Sequence, residues 1–159
     1  MLLVELFKDT YEWQWKNNRT AIFETKQGYK YEVDFYYLQP AGKGGIGTID
    51  SFFNDPENAR LSLDIDEEED ENNIVLVAFY LMDKDYEDAE ITDIVGTGDA
   101  FKVLATVQDI VNSYVSKENV GYVYFSAKES SRRKLYRRMA KSLGSDYYQE
   151  QDNFLVKVK

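Results

Sequence analysis

Between Ile91 and Gly144 the chain reads strand, glycine turn, helix, strand, helix, and that order leaves few folds open. Ile91-Thr92-Asp93-Ile94-Val95 has strand character. Gly96-Thr97-Gly98-Asp99-Ala100 is a turn, Phe101 to Val115 is helical, Tyr122-Val123-Tyr124-Phe125 is a second strand, and Ser130 to Leu143 is a second helix. A strand that enters Gly-x-Gly and then opens a helix aims backbone N–H groups at whatever lies above the turn. The partial positive charge of the helix start suits a phosphate there. Val95, Gly96, Thr97, Gly98, Asp99 and Ala100 are therefore candidate pyrophosphate-binding residues. The same turn also serves plain strand-to-helix packing, so on the residues alone both readings stand.

The remaining chain reads as the sheet that holds this unit. Tyr11, Trp13 and Trp15 share one parity, as neighbours on a strand face do. Asn17-Asn18-Arg19 and Gln27-Gly28 are turns around a strand at Thr20 to Thr25. Tyr29 to Leu38 then places Tyr29, Tyr31, Val33, Phe35 and Tyr37 on one face. Successive turns of this kind predict an antiparallel meander. Pro40 to Gly47 is a glycine-rich loop without the Gly-Lys-Ser/Thr ending of a P-loop. Asp50 to Phe53 starts a helical turn, Asp55-Pro56-Glu57 caps another, and Leu61 to Ile65 alternates like a strand. Ile74 to Leu81 is a continuous apolar run of strand length, expected at the sheet centre. Glu90 to Val95 is the next expected strand. In the helix after the glycine turn, Leu104, Val107, Val111 and Tyr114 form one face. In the last helix Leu135, Met139 and Leu143 do the same. Gly144 stops it, and Tyr147-Tyr148 and Phe154 to Val158 close the sheet.

The residue inventory narrows the chemistry. The 159 residues suit one domain, with 1–90 as meander and acidic loops and 91–159 as the cofactor-binding half. There is no Cys and no His, which removes thiolate nucleophiles, the commonest general base and the commonest zinc ligands. No metal site is expected. Proton transfer falls to carboxylates, Tyr, Lys or water, and acids are dense from Asp83 to Asp93. No apolar run approaches the ~18 residues of a membrane helix. Met1 to Lys8 is too short and too early-charged for a signal peptide, so a cytoplasmic, membrane-free protein is expected. Net charge is −10, which makes nucleic acid an unlikely partner. The charge is split. Asp50 to Asp93 holds sixteen acids against two bases, and Lys128 to Lys141 holds seven bases against one acid. The acidic run Asp66 to Glu71 reads as a solvated loop, with docking of a basic partner as its alternative.

Taken together, Val95-Gly96-Thr97-Gly98-Asp99-Ala100 and the later Ser130-Ser131-Arg132-Arg133-Lys134-Leu135-Tyr136 resemble the acyl-CoA-binding half of the GCN5-related N-acetyltransferase (GNAT) family, in particular divergent members common in bacteriophage genomes. That family's motif, Gln/Arg-x-x-Gly-x-Gly/Ala, lies between its fourth strand and the following helix, and a Leu-Tyr pair lies on the helix after the next strand. Gly98 and Ala100 fill the small-residue positions here. Val95 stands where Gln or Arg is usual, and no Phe follows Gly144 where the family has Gly-Phe. The resemblance covers the C-terminal 40 % or so. It implies an α/β (α+β) fold, with a mixed, mostly antiparallel sheet of six to seven strands flanked by helices. It implies acetyl-CoA as cofactor, Tyr136 as the catalytic general acid, and Arg132 and Arg133 beside the cofactor phosphates. Those two arginines fit a solvated basic helix face as well.

The resulting expectation is an acyl-CoA-dependent N-acyltransferase of phage type, in the host cytoplasm or a virion. The alternative is a non-catalytic phage binding or virion structural protein on the same scaffold, or an acidic inhibitor of a host protein. Its partner would be another protein or a second copy, docking through the split charge.

Overall fold

The computed structural model describes residues 9–38, 49–66, 73–82, 100–127, 133–144 and 146–158. Along the chain these form β1 (Trp13–Asn17), β2 (Thr20–Glu24), β3 (Lys30–Tyr37), α1 (Ile49–Phe52), α2 (Pro56–Leu63), β4 (Ile74–Leu81), α3 (Ala100–Glu118), β5 (Tyr122–Ser126), α4 (Arg133–Leu143), β6 (Asp146–Glu150) and β7 (Asn153–Lys157). The seven strands make one mixed sheet in the order β1-β2-β3-β4-β5-β7-β6, an α+β architecture with four helices among the described residues.

Local chemistry explains the meander. The Asn17 side chain accepts the Arg19 amide at 2.8 Å and closes the β1–β2 turn. Gly28 has φ +89°, a conformation only glycine adopts without strain, and its amide donates to the Thr25 carbonyl at 3.0 Å. In register, Trp13, Phe23 and Tyr31 lie opposite one another, as do Gln14, Ile22 and Glu32. β4 runs antiparallel to β3, since the Met82 amide bonds the Lys30 carbonyl at one end and the Leu38 amide bonds the Ile74 carbonyl at the other. β4 and β5 are parallel, with Ile74 opposite Tyr122 and Leu76 opposite Tyr124. Parallel neighbours need a crossover, and the connection between them carries α3. β7 pairs antiparallel with β5 on one side and β6 on the other.

The described residues divide into two compact units, one within Met1–Asp34 and Phe79–Ser113, the other within Phe35–Ala78 and Tyr114–Lys159. In the first, Phe23 lies between Tyr11 and Tyr31, with ring centroids at 6.2 and 5.1 Å. The Tyr11 amide donates to Thr106 Oγ1 at 2.8 Å, and the Trp13 indole donates to Asp109 at 2.9 Å. In the second, Leu38, Ile49, Phe53, Leu63, Ile74, Tyr124 and Leu155 form a buried cluster. Phe35 stacks on Tyr114 with centroids 4.0 Å apart.

Two segments differ from expectation. Leu61 to Ile65 is not a strand. Asp55 caps a helix there by accepting the Asn58 amide at 3.2 Å, Pro56 starts it, and Asp64 ends it in the left-handed conformation at φ 52°. The buried residues are Ala59, Arg60 and Leu63, a helical spacing, while Leu61 is 79 % exposed. Arg60 is tolerated inside because Asp50 and Glu57 each hold its guanidinium at 2.7 Å. On α4 the buried stripe is Tyr136, Met139, Ala140 and Leu143, with Leu135 only half-buried. The strand expected at Glu90–Val95 and the loops at Pro40–Gly47 and 67–72 lie outside the described residues.

Candidate functional site

Of the expected cofactor turn, Val95 to Asp99 lie outside the described residues, as do Arg132 and the carboxylates from Asp83 to Asp93. Ala100 is the first residue of α3. No acidic residue stands in the first turn of this helix, so the positive end of its dipole is not offset within that turn. Lys102 is there, with its ammonium 3.6 Å from Asp9 and 4.4 Å above the Tyr11 ring.

Tyr136 and Arg133 share α4 in the second unit. Tyr136 is 6 % exposed, and its ring packs on Phe125 at a centroid distance of 5.7 Å. Phe125 stacks in turn on Phe154 at 5.2 Å. The Arg133 Nε–H donates to the Asp152 carboxylate in the β6–β7 turn. Arg137 Nε donates to the Gln149 side chain at 3.0 Å. The basic helix is thus tied to its own hairpin at two points.

A group that the sequence reading passed over lies in the first unit. Lys30, Glu32 and Asp34 occupy the face of β3 opposite Tyr31 and Val33. Asp34 is 5 % exposed. Its carboxylate accepts the Thr20 hydroxyl at 2.9 Å and the Tyr80 hydroxyl at 2.7 Å. The Tyr80 hydroxyl also meets the Glu32 carboxylate. The Lys16 ammonium lies 3.6 Å from Glu32 Oε1. Two carboxylates therefore share one phenol hydrogen, and acceptor capacity remains for a further donor. Among the described residues no group of three or more carboxylates is placed to hold a metal ion. Alternation along Lys30–Tyr37 was the available signal: two acids at i and i+2 inside a strongly predicted strand must point the same way.

Burial is the largest cause raising the Tyr80 phenol well above its ordinary range, followed by its bonds to Glu32 and Asp34. Burial likewise pushes Tyr124 up to about 12, against the pull of a hydrogen bond with Ser126. Raised phenols favour the neutral form in the folded state. Their contribution is complete below the ordinary value of about 10 and is lost as pH rises through the folded value. Stability is accordingly expected to fall between about pH 10 and about 12. Urea denaturation across that window, repeated with Tyr124→Phe, should show a flatter fall in the variant. An identical slope would refute the assignment.

Residues 51–156 match a family of unknown function (DUF6934). The chain belongs to that family. The match runs from within α1 to Val156 in β7, while β1, β2 and β3, with Glu32 and Asp34, precede it. Comparison with curated proteins gives no match, and neither does comparison with solved structures. No helix among the described residues is long and apolar enough to cross a membrane.

Proposed function

We propose that this member of the DUF6934 family is a GNAT-like acyl-CoA-dependent N-acyltransferase. The observation that carries the reading is the order β4, α3, parallel β5, α4. The resemblance expects the glycine turn between the fourth strand and the next helix. Val95–Ala100 ends in the first turn of α3, and the strand expected to enter it, Ile91–Val95, lies outside the described residues. It expects the Leu-Tyr pair on the helix after the following strand, and Leu135-Tyr136 lies on α4.

Backbone N–H groups of Gly96 to Ala100 would hold the pyrophosphate. The resemblance also assigns phosphate contacts to Arg132 and Arg133, and Arg133 is paired with Asp152. Acetyl-CoA would supply an acyl carbonyl activated as a thioester. Tyr136 Oη would give its proton to the thiolate as the amine nitrogen bonds the acyl carbon and the carbon–sulfur bond breaks, while the proton shed by the amine would pass to water and the tyrosinate would regain one from solvent. That ring packs on Phe125.

A second reading, a binding or virion protein that keeps the fold without chemistry, draws on the same residues. Arg133 is already paired with Asp152, and Tyr136 is already buried. Calorimetric titration with acetyl-CoA separates the two. The acyltransferase reading expects saturable one-to-one binding, weakened at least tenfold by Gly98→Val in a variant that keeps its circular dichroism spectrum. No heat at roughly millimolar acetyl-CoA, the upper end of ordinary Michaelis constants, leaves the second reading standing.

A further inference from the structure

The exposed face of the first unit's sheet carries a groove of about 530 Å³. Its lining includes Glu12, Gln14, Ile22, Glu24, Lys30 and Met82. The volume falls within the range of small-molecule sites. Register places the residues next to that lining. Gln14 lies opposite Ile22, Ile22 lies opposite Glu32, and Glu24 lies opposite Lys30. Lys30, Glu32 and Asp34 follow one another on β3 at about 7 Å per pair of residues. The apolar floor of Ile22 and the 40 % exposed Met82 therefore runs toward the Glu32–Asp34–Tyr80 group.

The groove has a charge preference. Glu12, Glu24 and Lys30 line it, and Glu32, Asp34 and Lys16 lie beyond that lining, so acids outnumber cations four to two. The bonds to Asp34 among the described residues come from hydroxyls, and the one Tyr80 hydrogen serves two carboxylates. The chain also shows what Glu32 accepts. Lys16, an alkylammonium with a 55 % exposed side chain, reaches it at 3.6 Å. An ion pair that long, from a side chain that exposed, is weak and displaceable.

We propose that this groove binds a small primary alkylammonium ion, with its head at Glu32 in place of Lys16 and its alkyl body over Ile22 and Met82. An ammonium brings three donors to a place where two carboxylates share one hydrogen. The inference goes beyond acyl transfer, since none of these residues belongs to the expected cofactor site, and it stands or falls without acetyl-CoA.

The test is an NMR titration of ¹⁵N-labelled protein with hexylamine hydrochloride, with hexanol and ammonium chloride as controls and no acetyl-CoA present. Saturable amide shifts are expected at Gln14, Ile22, Lys30 and Met82, with both controls at least tenfold weaker. Glu32→Gln should weaken hexylamine about tenfold, the worth of one charge-assisted hydrogen bond. Lys16→Ala, an exposed change that spares the fold, should tighten it severalfold by removing the internal competitor. Shifts that do not saturate, or that hexanol reproduces, overturn the proposal. So does binding that neither variant changes. A face closed by a second copy would appear as a dimer in sedimentation, and its dissociation by Met82→Lys without any amine response would overturn the proposal too.

Discussion

Gly144→Ala is expected to lower stability by roughly 3 kcal/mol or more, at the severe end for one added methyl group. A Cβ at this position would lie 2.0 Å from the Lys157 carbonyl oxygen and 2.9 Å from both the Lys157 carbonyl carbon and Val156 Cγ1. The obstacle is backbone, and that backbone has no room to retreat. Lys157 pairs with Tyr122 on one side and Asp146 on the other, so β7 is held between β5 and β6. α4 is held as well, because Tyr136, Met139, Ala140 and Leu143 are buried along one stripe. Only a shift of the helix end relieves the overlap, and that breaks the bond from the Gly144 amide to the Ala140 carbonyl. Gly121→Ala is the control. Its Cβ would meet the Asn73 side-chain nitrogen at 2.9 Å, a movable group, so its cost should be well under half as large. Urea midpoints at unchanged m-value measure both. Equal costs at the two positions would show that the α4 end yields more freely than its packing implies.

The elements the sequence made legible are those encoded locally. The two hairpin turns rest on Asn17 and Gly28, whose chemistry works within a few residues. The apolar run Ile74–Leu81 needs a neighbour on each side, and β4 lies between β3 and β5. The spacing of Leu104, Val107, Val111 and Tyr114 became α3, all four of them buried. Leu61 to Ile65 misled because Leu-Ser-Leu-Asp-Ile satisfies a period of two as readily as the end of a helix. The capping by Asp55 and Pro56 decided the matter five residues upstream. Placement of β7 between β5 and β6 was not legible, since a terminal hairpin can add to a sheet by either strand. The Glu32–Asp34–Tyr80 group was hidden for the same reason. Its members are 46 and 48 residues apart, and only the antiparallel register of β3 and β4 makes them neighbours. The glycine turn, most prominent in the sequence, lies outside the described residues except for Ala100.

The alternation of β3 separates stability from binding, and Phe35→Ala exploits that separation. Phe35 is fully buried and stacks on Tyr114, itself 2 % exposed, at 4.0 Å and 6°. Truncation removes a ring from a closed site and leaves Tyr114 without its stacking partner. A Phe-to-Ala change of this kind costs about 3–5 kcal/mol, which is a large part of the ~5–15 kcal/mol that holds a domain together. The melting temperature should drop by roughly 10 °C or more. Phe35→Leu keeps most of the volume and should lose less than half as much. Glu32 points to the other face of the same strand. Glu32→Gln should therefore move the urea midpoint much less than Phe35→Ala, while Phe35→Ala, held below its lowered melting point, should keep the alkylammonium response. Thermal melts paired with the hexylamine titration read both axes at once. A loss below about 1 kcal/mol for Phe35→Ala would mean that the Tyr114 ring collapses into the space, which a close-packed core should not permit. Loss of the amine response in a folded Phe35→Ala would mean that the two faces of β3 are coupled, and the groove could not then be treated as a site built by its own residues.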